Sequence, residues 1–179
     1  KQGRLLAGNR VAYDVVAFPE DVRPEVFPLL SRLLKMSEKK IRQRMSSGRE
    51  YPFAPALIKE DVPKELAFQI EEKKPELPGV AIRVSSVRFY PYAETASHVI
   101  GYIGAVSQAE YDKFDHDRFG INSMIGRAGI EKYFDDELRG WRGGEQIEVD
   151  ARGRLVRVRS KRPPEPGADL NLTLDLEFQ

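Results

Sequence analysis

An α+β fold, with a strand framework carrying a helical lobe and ending in a β-hairpin, is predicted by three features of the sequence. Val80, Ile82 and Val84 alternate with Ala81, Arg83 and Ser85, the period of a half-buried strand. Val26, Phe27, Leu30, Leu33 and Leu34 recur at helical spacing. Two polar-apolar runs, Gly144–Asp150 and Arg154–Lys161, flank Ala151-Arg152-Gly153, a hairpin with its turn.

In chain order, Arg4–Phe18 is rich in Val and aromatic residues and predicts a strand that Pro19 ends. Pro24–Met36 predicts a helix, with Pro28 tolerated in its first turn. Ser37 then caps a second helix with Ile41 and Met45 on one face and Gly48 at its end. Tyr51–Lys59 holds two prolines and fits an edge strand or a loop. Asp61 and Pro63 are expected to open a helix to about Lys73 that buries Leu66, Ala67 and Ile70. Pro78-Gly79 is a turn before the strand at Val80.

Thr95–Val106 is expected to be a short helix, and Ser107-Gln108-Ala109-Glu110 fits a capping box for another. Asp115–Ala128 is polar and loop-like. Ile130, Tyr133, Phe134 and Leu138 share one face of a helix ending at Gly140. Arg162–Gly167, with three prolines, is a hinge or boundary, and alternating Leu170, Leu172, Leu174 and Leu176 predict a last strand. The expected organisation is one domain over 1–167, with a helical lobe at about 24–74 inserted in the strand framework. Residues 168–179 then begin a strand of a following domain.

Composition narrows the function. In 179 residues, 29 basic and 28 acidic side chains leave a net charge of +1, so no general attraction to nucleic acid or anionic lipid exists. A hydrophobic share of 41% suffices for a core. The absence of cysteine excludes disulfides, thiolate catalysis and cysteine metal sites. The longest apolar run, Val11–Phe18, is broken by Asp14 and falls short of the ~20 residues that span a bilayer. The chain opens at Lys1-Gln2-Gly3 and stops at Gln179 within the expected strand, as a piece of a longer protein would.

Candidate chemistry is sparse. Ser37-Glu38-Lys39-Lys40 matches S-x-x-K, the spacing of an autonomous serine acyl-enzyme using Ser37 and Lys40. Companion S-x-N and K-T-G elements are missing, and an N-cap serine explains the residue without catalysis. Asp112, Asp115, His116 and Asp117 offer oxygen ligands but lack EF-hand spacing and its glycine, so a solvated acidic loop is the better account. His98, beside Val99 and Ile100, is a hydrogen-bonded packing residue. Arg152, Arg154, Arg157, Arg159, Lys161 and Arg162 form a basic arm. Without stacking aromatics or a known module it is a poor nucleic-acid binder, whereas Glu145 and Glu148 can pair with it across the hairpin. Gly101, Gly104, Gly126, Gly129, Gly140, Gly143 and Gly144 lack phosphate-cradle spacing. No catalytic residue, metal or cofactor is assigned.

The stretch Arg88–Gly140 is where the residues become familiar. Arg88-Phe89-Tyr90-Pro91 followed by His98-Val99-Ile100-Gly101-Tyr102-Ile103-Gly104 resembles the R-x-Y-P…H-V-x-G-Y-x-G segment of class B penicillin-binding proteins. Gly126-Arg127-Ala128-Gly129-Ile130-Glu131-Lys132-Tyr133, then Leu138-Arg139-Gly140, is similar to their G-x-x-G-I-E-x-x-Y…L-x-G segment. Glu148–Arg154 resembles the arm carrying A/N-R-G-R. Gly167-Ala168-Asp169 with Leu172-Thr173-Leu174-Asp175-Leu176 and Gln179 looks like the strand leading into the family's transpeptidase domain. Leu5-Leu6-Ala7 and Asn9-Arg10 match the tail of the opening motif. These blocks come in family order across nearly the whole chain, and the loop between His98 and Glu131 resembles the elongation-type branch. Ala93 departs from the pattern, standing where many members have Gly.

The resemblance implies the family's non-catalytic periplasmic pedestal, or dimerisation, domain. In the family it lies between one N-terminal membrane helix and a catalytic D,D-transpeptidase domain, both outside this chain, so Ser37 is not the family's nucleophile. It also implies contacts with that transpeptidase domain, with a SEDS-type glycosyltransferase and with a rod-shape scaffold protein, on the outer side of the bacterial inner membrane. No cofactor and no nucleic acid are implied. Carried onto this chain, the structural motif residues are Arg88, Tyr90, Pro91, His98, Gly101, Gly126, Gly129, Glu131 and Gly140. Interdomain residues are Arg152, Gly153, Arg154, Asp169 and Asp175. Leu30, Leu33, Leu34 and Ile41 of the helical lobe are the expected partner-binding residues.

Overall fold

The computed structural model describes residues 3–47, 54–92, 97–114, 119–120, 123–141, 143–150 and 155–174. Two compact units divide the chain, one at Asn9–Phe89 and one formed by Lys1–Gly8 with Tyr90–Gln179. The helices expected at 24–74 therefore belong to a larger unit with a sheet of its own.

That unit is built on β1 (Gly8–Ala17), the centre of a sheet in the order β2-β1-β3, where β2 is Ala56–Val62 and β3 is Val80–Phe89. β1 and β2 run antiparallel, with Tyr13 opposite Val62 and Val16 opposite Leu57. β1 and β3 also run antiparallel: Phe18 donates its N–H to the Gly79 carbonyl, Asp14 accepts from Arg83, and Asn9 accepts from Arg88. The helices α1 (Val26–Leu34), α2 (Glu38–Ser47) and α3 (Lys64–Glu72) supply the other side of the core. Val15, Ala17, Val26, Leu30, Leu34, Ile41, Ile58, Ile70 and Leu77 bury together, a continuous aliphatic cluster.

Local chemistry explains the boundaries. α1 ends at Lys35, which takes a left-handed φ of 51° while Met36 N–H returns to the Ser31 carbonyl, a Schellman-type stop without the usual glycine. Ser37 caps α2 as expected: its Oγ accepts the Lys40 N–H at 3.3 Å. Asp61 does not open α3. It closes β2 with a φ of 48°, its N–H taken by the Asp14 carboxylate at 3.1 Å and its own carboxylate clamped by Arg10 at 2.7 and 2.5 Å. Asp tolerates this conformation better than most residues. Pro63 alone flanks the helix start. The alternation expected in β3 stops at Ile82, since Val84 is 66% exposed where the strand outruns the helices.

In the other unit, the helix expected over Thr95–Val106 is one turn, α4 (Ser97–Ile100), followed by β4 (Ile103–Ala105). Gly101, with φ of 81°, separates them. After α5 (Gln108–Tyr111) comes β5 (Met124–Gly126), a strand inside the stretch expected to be loop. It pairs antiparallel with β4, Gly104 opposite Ile125. The single helix expected to end at Gly140 is two short ones, α6 (Gly129–Tyr133) and α7 (Asp135–Arg139), broken at Phe134. Ile130, Phe134 and Leu138 of the expected apolar face are partly buried, but Tyr133 is 81% exposed and Glu131 is buried in its stead. β6 (Gly144–Val149) and β7 (Leu155–Arg162) form the predicted hairpin. No strand is assigned over 168–174, so the described part of the expected last strand is irregular.

Candidate interaction surfaces

The two family-like motifs meet backbone to backbone. Gly101 and Gly129 both hold positive φ, and a Cβ on Gly101 would lie 1.8 Å from the Ala128 carbonyl oxygen. A Cβ on Gly129 would lie 2.4 Å from the Val99 carbonyl oxygen. No side chain larger than hydrogen fits either place without moving main chain. Gly126 is pressed in the same way against the Glu131 carbonyl, and Tyr90 donates its hydroxyl to the buried Glu131 carboxylate at 3.3 Å. Arg88 lies at the end of β3, donating to Asn9 Oδ1 at 3.3 Å. Pro91 and His98 are exposed. His98 is thus a surface residue rather than the packing residue expected, because the one-turn α4 buries only Ile100.

Charged side chains stitch this crossing together. Arg127 grips both oxygens of Glu110, at 2.5 and 3.0 Å, and also donates to the Ala105 carbonyl. The Glu110 carboxylate accepts the N–H and hydroxyl of Ser107 at 2.9 and 2.7 Å, the glutamate half of the predicted capping box, while the Glu110 N–H goes to the Ser107 carbonyl instead of its hydroxyl. The Arg127 guanidinium first, and the two Ser107 bonds after it, hold the Glu110 carboxyl down at about 2. Asp135 accepts the Gly126 N–H at 2.7 Å and pairs with Arg139. Arg139 also donates to the Met124 carbonyl at 2.8 Å and lies 4.4 Å from the Phe119 ring centroid. Arg127 and Arg139 stand in the sequence only as members of the family-like motif, with no role of their own, and Asp135 not at all. The i,i+4 spacing of Asp135 and Arg139 was a readable signal, whereas the reach of Arg127 across 17 residues to Glu110 was not.

The hairpin behaves as its sequence predicts on the charged face. Glu148 accepts from Arg157 at 2.7 Å and Arg159 at 3.1 Å, and Glu145 pairs with Lys161 at 2.6 Å. Arg152, Gly153 and Arg154 lie outside the described residues, as do Asp175 and three of the four members of the acidic loop, Asp115, His116 and Asp117. Asp169 is exposed. The proline-rich segment is not a free hinge, because Glu165 exchanges two 2.9 Å backbone bonds with Trp141 and Ala168 donates to the Glu137 carbonyl at 2.8 Å. Gly140 and Gly167 make that approach possible: a Cβ on Gly140 would stand 2.3 Å from the Glu165 carbonyl oxygen.

The expected partner-binding residues need correction as a surface. Leu30, Leu34 and Ile41 have 0% exposure and are core residues; Leu33 is partly buried against them. The helical spacing that marked them reports packing on the sheet, not presentation to solvent. The apolar patch α2 does leave near the surface is a shallow hollow lined by Pro19, Phe27, Arg42 and Met45, with the Arg42 guanidinium 3.6 Å from the Phe27 ring centroid. Ser37 and Lys40 make a cap, and no group of three or more His, Cys, Asp or Glu among the described residues is placed to hold a metal.

A sheet-and-helix unit, a glycine crossing and a braced hairpin together match one domain class, and the chain belongs to the family of the Penicillin-binding Protein dimerisation domain, which matches residues 1–172. Its relatives are more particular. It is 30% identical over 186 residues to the peptidoglycan D,D-transpeptidase MrdA of Escherichia coli K12, covering 100% of this chain and 29% of that protein. Penicillin-binding protein 3 of Bacillus subtilis is 29% identical over 185 residues, covering 100% and 26%. The fold is also that of a chain in the complex between penicillin-binding protein PBP2 and MreC from Helicobacter pylori, with a TM-score of 0.71, 18% identity and coverage of 93% and 32%. A chain of a peptidoglycan synthase complex that coordinates polymerization and crosslinking gives a TM-score of 0.59 at 28% identity, covering 100% and 28%. The chain spans less than a third of the length of these curated relatives.

Proposed function

We propose that this chain is the non-catalytic pedestal of a penicillin-binding protein 2-like peptidoglycan D,D-transpeptidase, holding the catalytic domain in position and docking cell-elongation partners during wall synthesis. The observation that carries this is the family match over 1–172, in which the motif glycines Gly101, Gly126 and Gly129 stand at contacts that admit no side chain. The parent protein would be held by one N-terminal helix on the periplasmic side of the bacterial inner membrane. Arg152, Gly153, Arg154, Asp169 and Asp175 would brace the catalytic domain.

Two partners fit. The relative solved with MreC supports a rod-shape scaffold protein, and the relative in the synthase complex supports a SEDS-type glycosyltransferase. Because Leu30, Leu34 and Ile41 are core residues, the lobe can offer them only by opening, α1 and α2 parting to admit a partner's apolar side chains. The paired charges of the hairpin favour a protein contact over nucleic acid. Calorimetry of this chain against the periplasmic part of a rod-shape scaffold protein tests the reading. Saturable binding, lost in Leu33→Asp with the circular dichroism unchanged, is expected. No binding at any concentration would reduce the lobe to a passive spacer. Leu30→Asp is no use here, since a charge at a fully buried site unfolds the unit.

A further inference from the structure

We propose that the cationic corner where α1, α2 and β2 meet is a docking site for an acidic segment of a partner protein. Residues 31–47 carry six basic side chains and one acidic one, in a chain whose net charge is only +1. The single acid, Glu38, accepts from Arg42 at 3.3 Å. Arg32, Lys35, Lys39 and Lys40 are exposed, and none of them is ion-paired with a carboxylate among the described residues.

The fold gathers these charges. Arg32 stands in the last turn of α1 and Lys35 is its C-cap, at the end from which the chain turns into α2. Lys39 and Lys40 lie in the first turn of α2. Lys40 and Arg44, four residues apart, share one side of that helix. Arg44 donates to the Ile58 carbonyl at 3.0 Å, which turns this side toward β2. From β2, Lys59 reaches the Leu34 carbonyl at 2.9 Å, next to Lys35. Both acceptors are uncharged, so each bond fixes a cation in place without cancelling its charge. The two helix ends meeting here carry about half a charge each, of opposite sign, and offset one another. Glu60, beside Lys59 in β2, is paired with none of these groups.

The hairpin, the other basic surface, differs. Its Arg157 and Arg159 are held by Glu148, and Lys161 by Glu145. Its own carboxylates already answer those charges, whereas the corner's remain open to an incoming anion.

Polarity and placement choose the occupant. None of the large exposed apolar side chains among the described residues belongs to α1 or α2, so the corner has nothing to insert into a bilayer. A second copy would face these cations with the same cations. Arg44 and Lys59 are half-buried between elements, within reach of carboxylates on a flexible segment more than of a flat layer of headgroups. The inference rests on the reading that this chain docks partner proteins, but it uses surface charge and leaves the buried leucines closed.

The test is titration of the whole chain, at low and physiological salt, with three probes: a capped peptide alternating glutamate and serine, its glutamine counterpart, and phosphatidylglycerol vesicles. The acidic peptide is expected to bind, to shift the amide resonances of residues 32–44, and to weaken as salt rises. Lys39→Glu with Lys40→Glu is expected to weaken it about tenfold or more, two attractions becoming repulsions. Acidic residues suit the first turn of a helix, so α2 tolerates the pair. Arg32→Gln with Lys35→Gln, outside α2, is expected to act in the same direction. Equal binding of the glutamine peptide, amide shifts centred on the hairpin, or vesicles that displace the peptide from the corner would each overturn the proposal. No scaffold protein enters this titration, so the docking reading tested by Leu33→Asp and the corner can fail separately.

Discussion

The two units hold themselves together by different means. Asn9–Phe89 buries a continuous aliphatic cluster between a sheet and three helices. In the unit containing Tyr90–Gln179, the buried apolar residues among those described are Ile100, Val106 and Ile125. There, close main-chain approaches at glycine and guanidinium-carboxylate pairs replace bulk burial. The first kind of unit tolerates exchange among similar apolar side chains, because transfer free energy depends on area more than on identity. The second depends on individual atoms.

The contrast can be broken most severely at the glycine crossing. Gly101→Ala should destabilise its unit by about 4 kcal/mol, combining backbone strain with an overlap that only main-chain movement relieves. Amide exchange, read separately in the two units, would show the loss; an unchanged Tyr90–Gln179 unit would refute the crossing's importance. Next in size, Leu30→Ala should cost the Asn9–Phe89 unit about 3 kcal/mol through lost transfer energy and a residual cavity, while Leu30→Met costs much less. Denaturant melts of the pair measure the difference.

Acid sharpens the comparison. The folded Glu110 carboxyl titrates at about 2 instead of its usual 4.5, so its contribution is present above about 4.5 and disappears as pH falls toward 2. Glu110→Gln should remove that pH dependence from its unit. Asp61, also lowered by Arg10, adds a smaller acid sensitivity to the other unit, which Asp61→Asn should flatten. The smallest change is a gain. Lys35→Gly relieves the left-handed C-cap of α1 and should stabilise the Asn9–Phe89 unit by roughly 0.5–1 kcal/mol, seen as a raised melting midpoint.

Legibility followed the same division. Where burial decides structure, periodicity revealed it: α1, α2 and α3 lie where Leu30, Ile41 and Ile70 placed them, and β6 and β7 where alternation did. Where single contacts decide, it misled. Asp61 looked like a helix opener because its partners, Arg10 and Asp14, lie 51 and 47 residues away. Thr95–Val106 looked helical because no local pattern announces that Gly101 must turn to pass Ala128. Leu30 and Leu34 looked available to a partner because an apolar stripe does not say whether its own sheet already covers it. The motif glycines were readable only as members of a family pattern; the atoms they approach gave the reason.

The Trp141–Glu165 bridge has a mechanical consequence. It closes the base of the hairpin, and Ala168 is tied directly to Glu137. Tension applied to the chain beyond Ala168 therefore passes across these short bonds into α7, and β6 and β7 hang beside the load path as a slack loop. The ladder between β6 and β7 would be loaded only once the Trp141–Glu165 link gives way and the chain between those two residues joins the path.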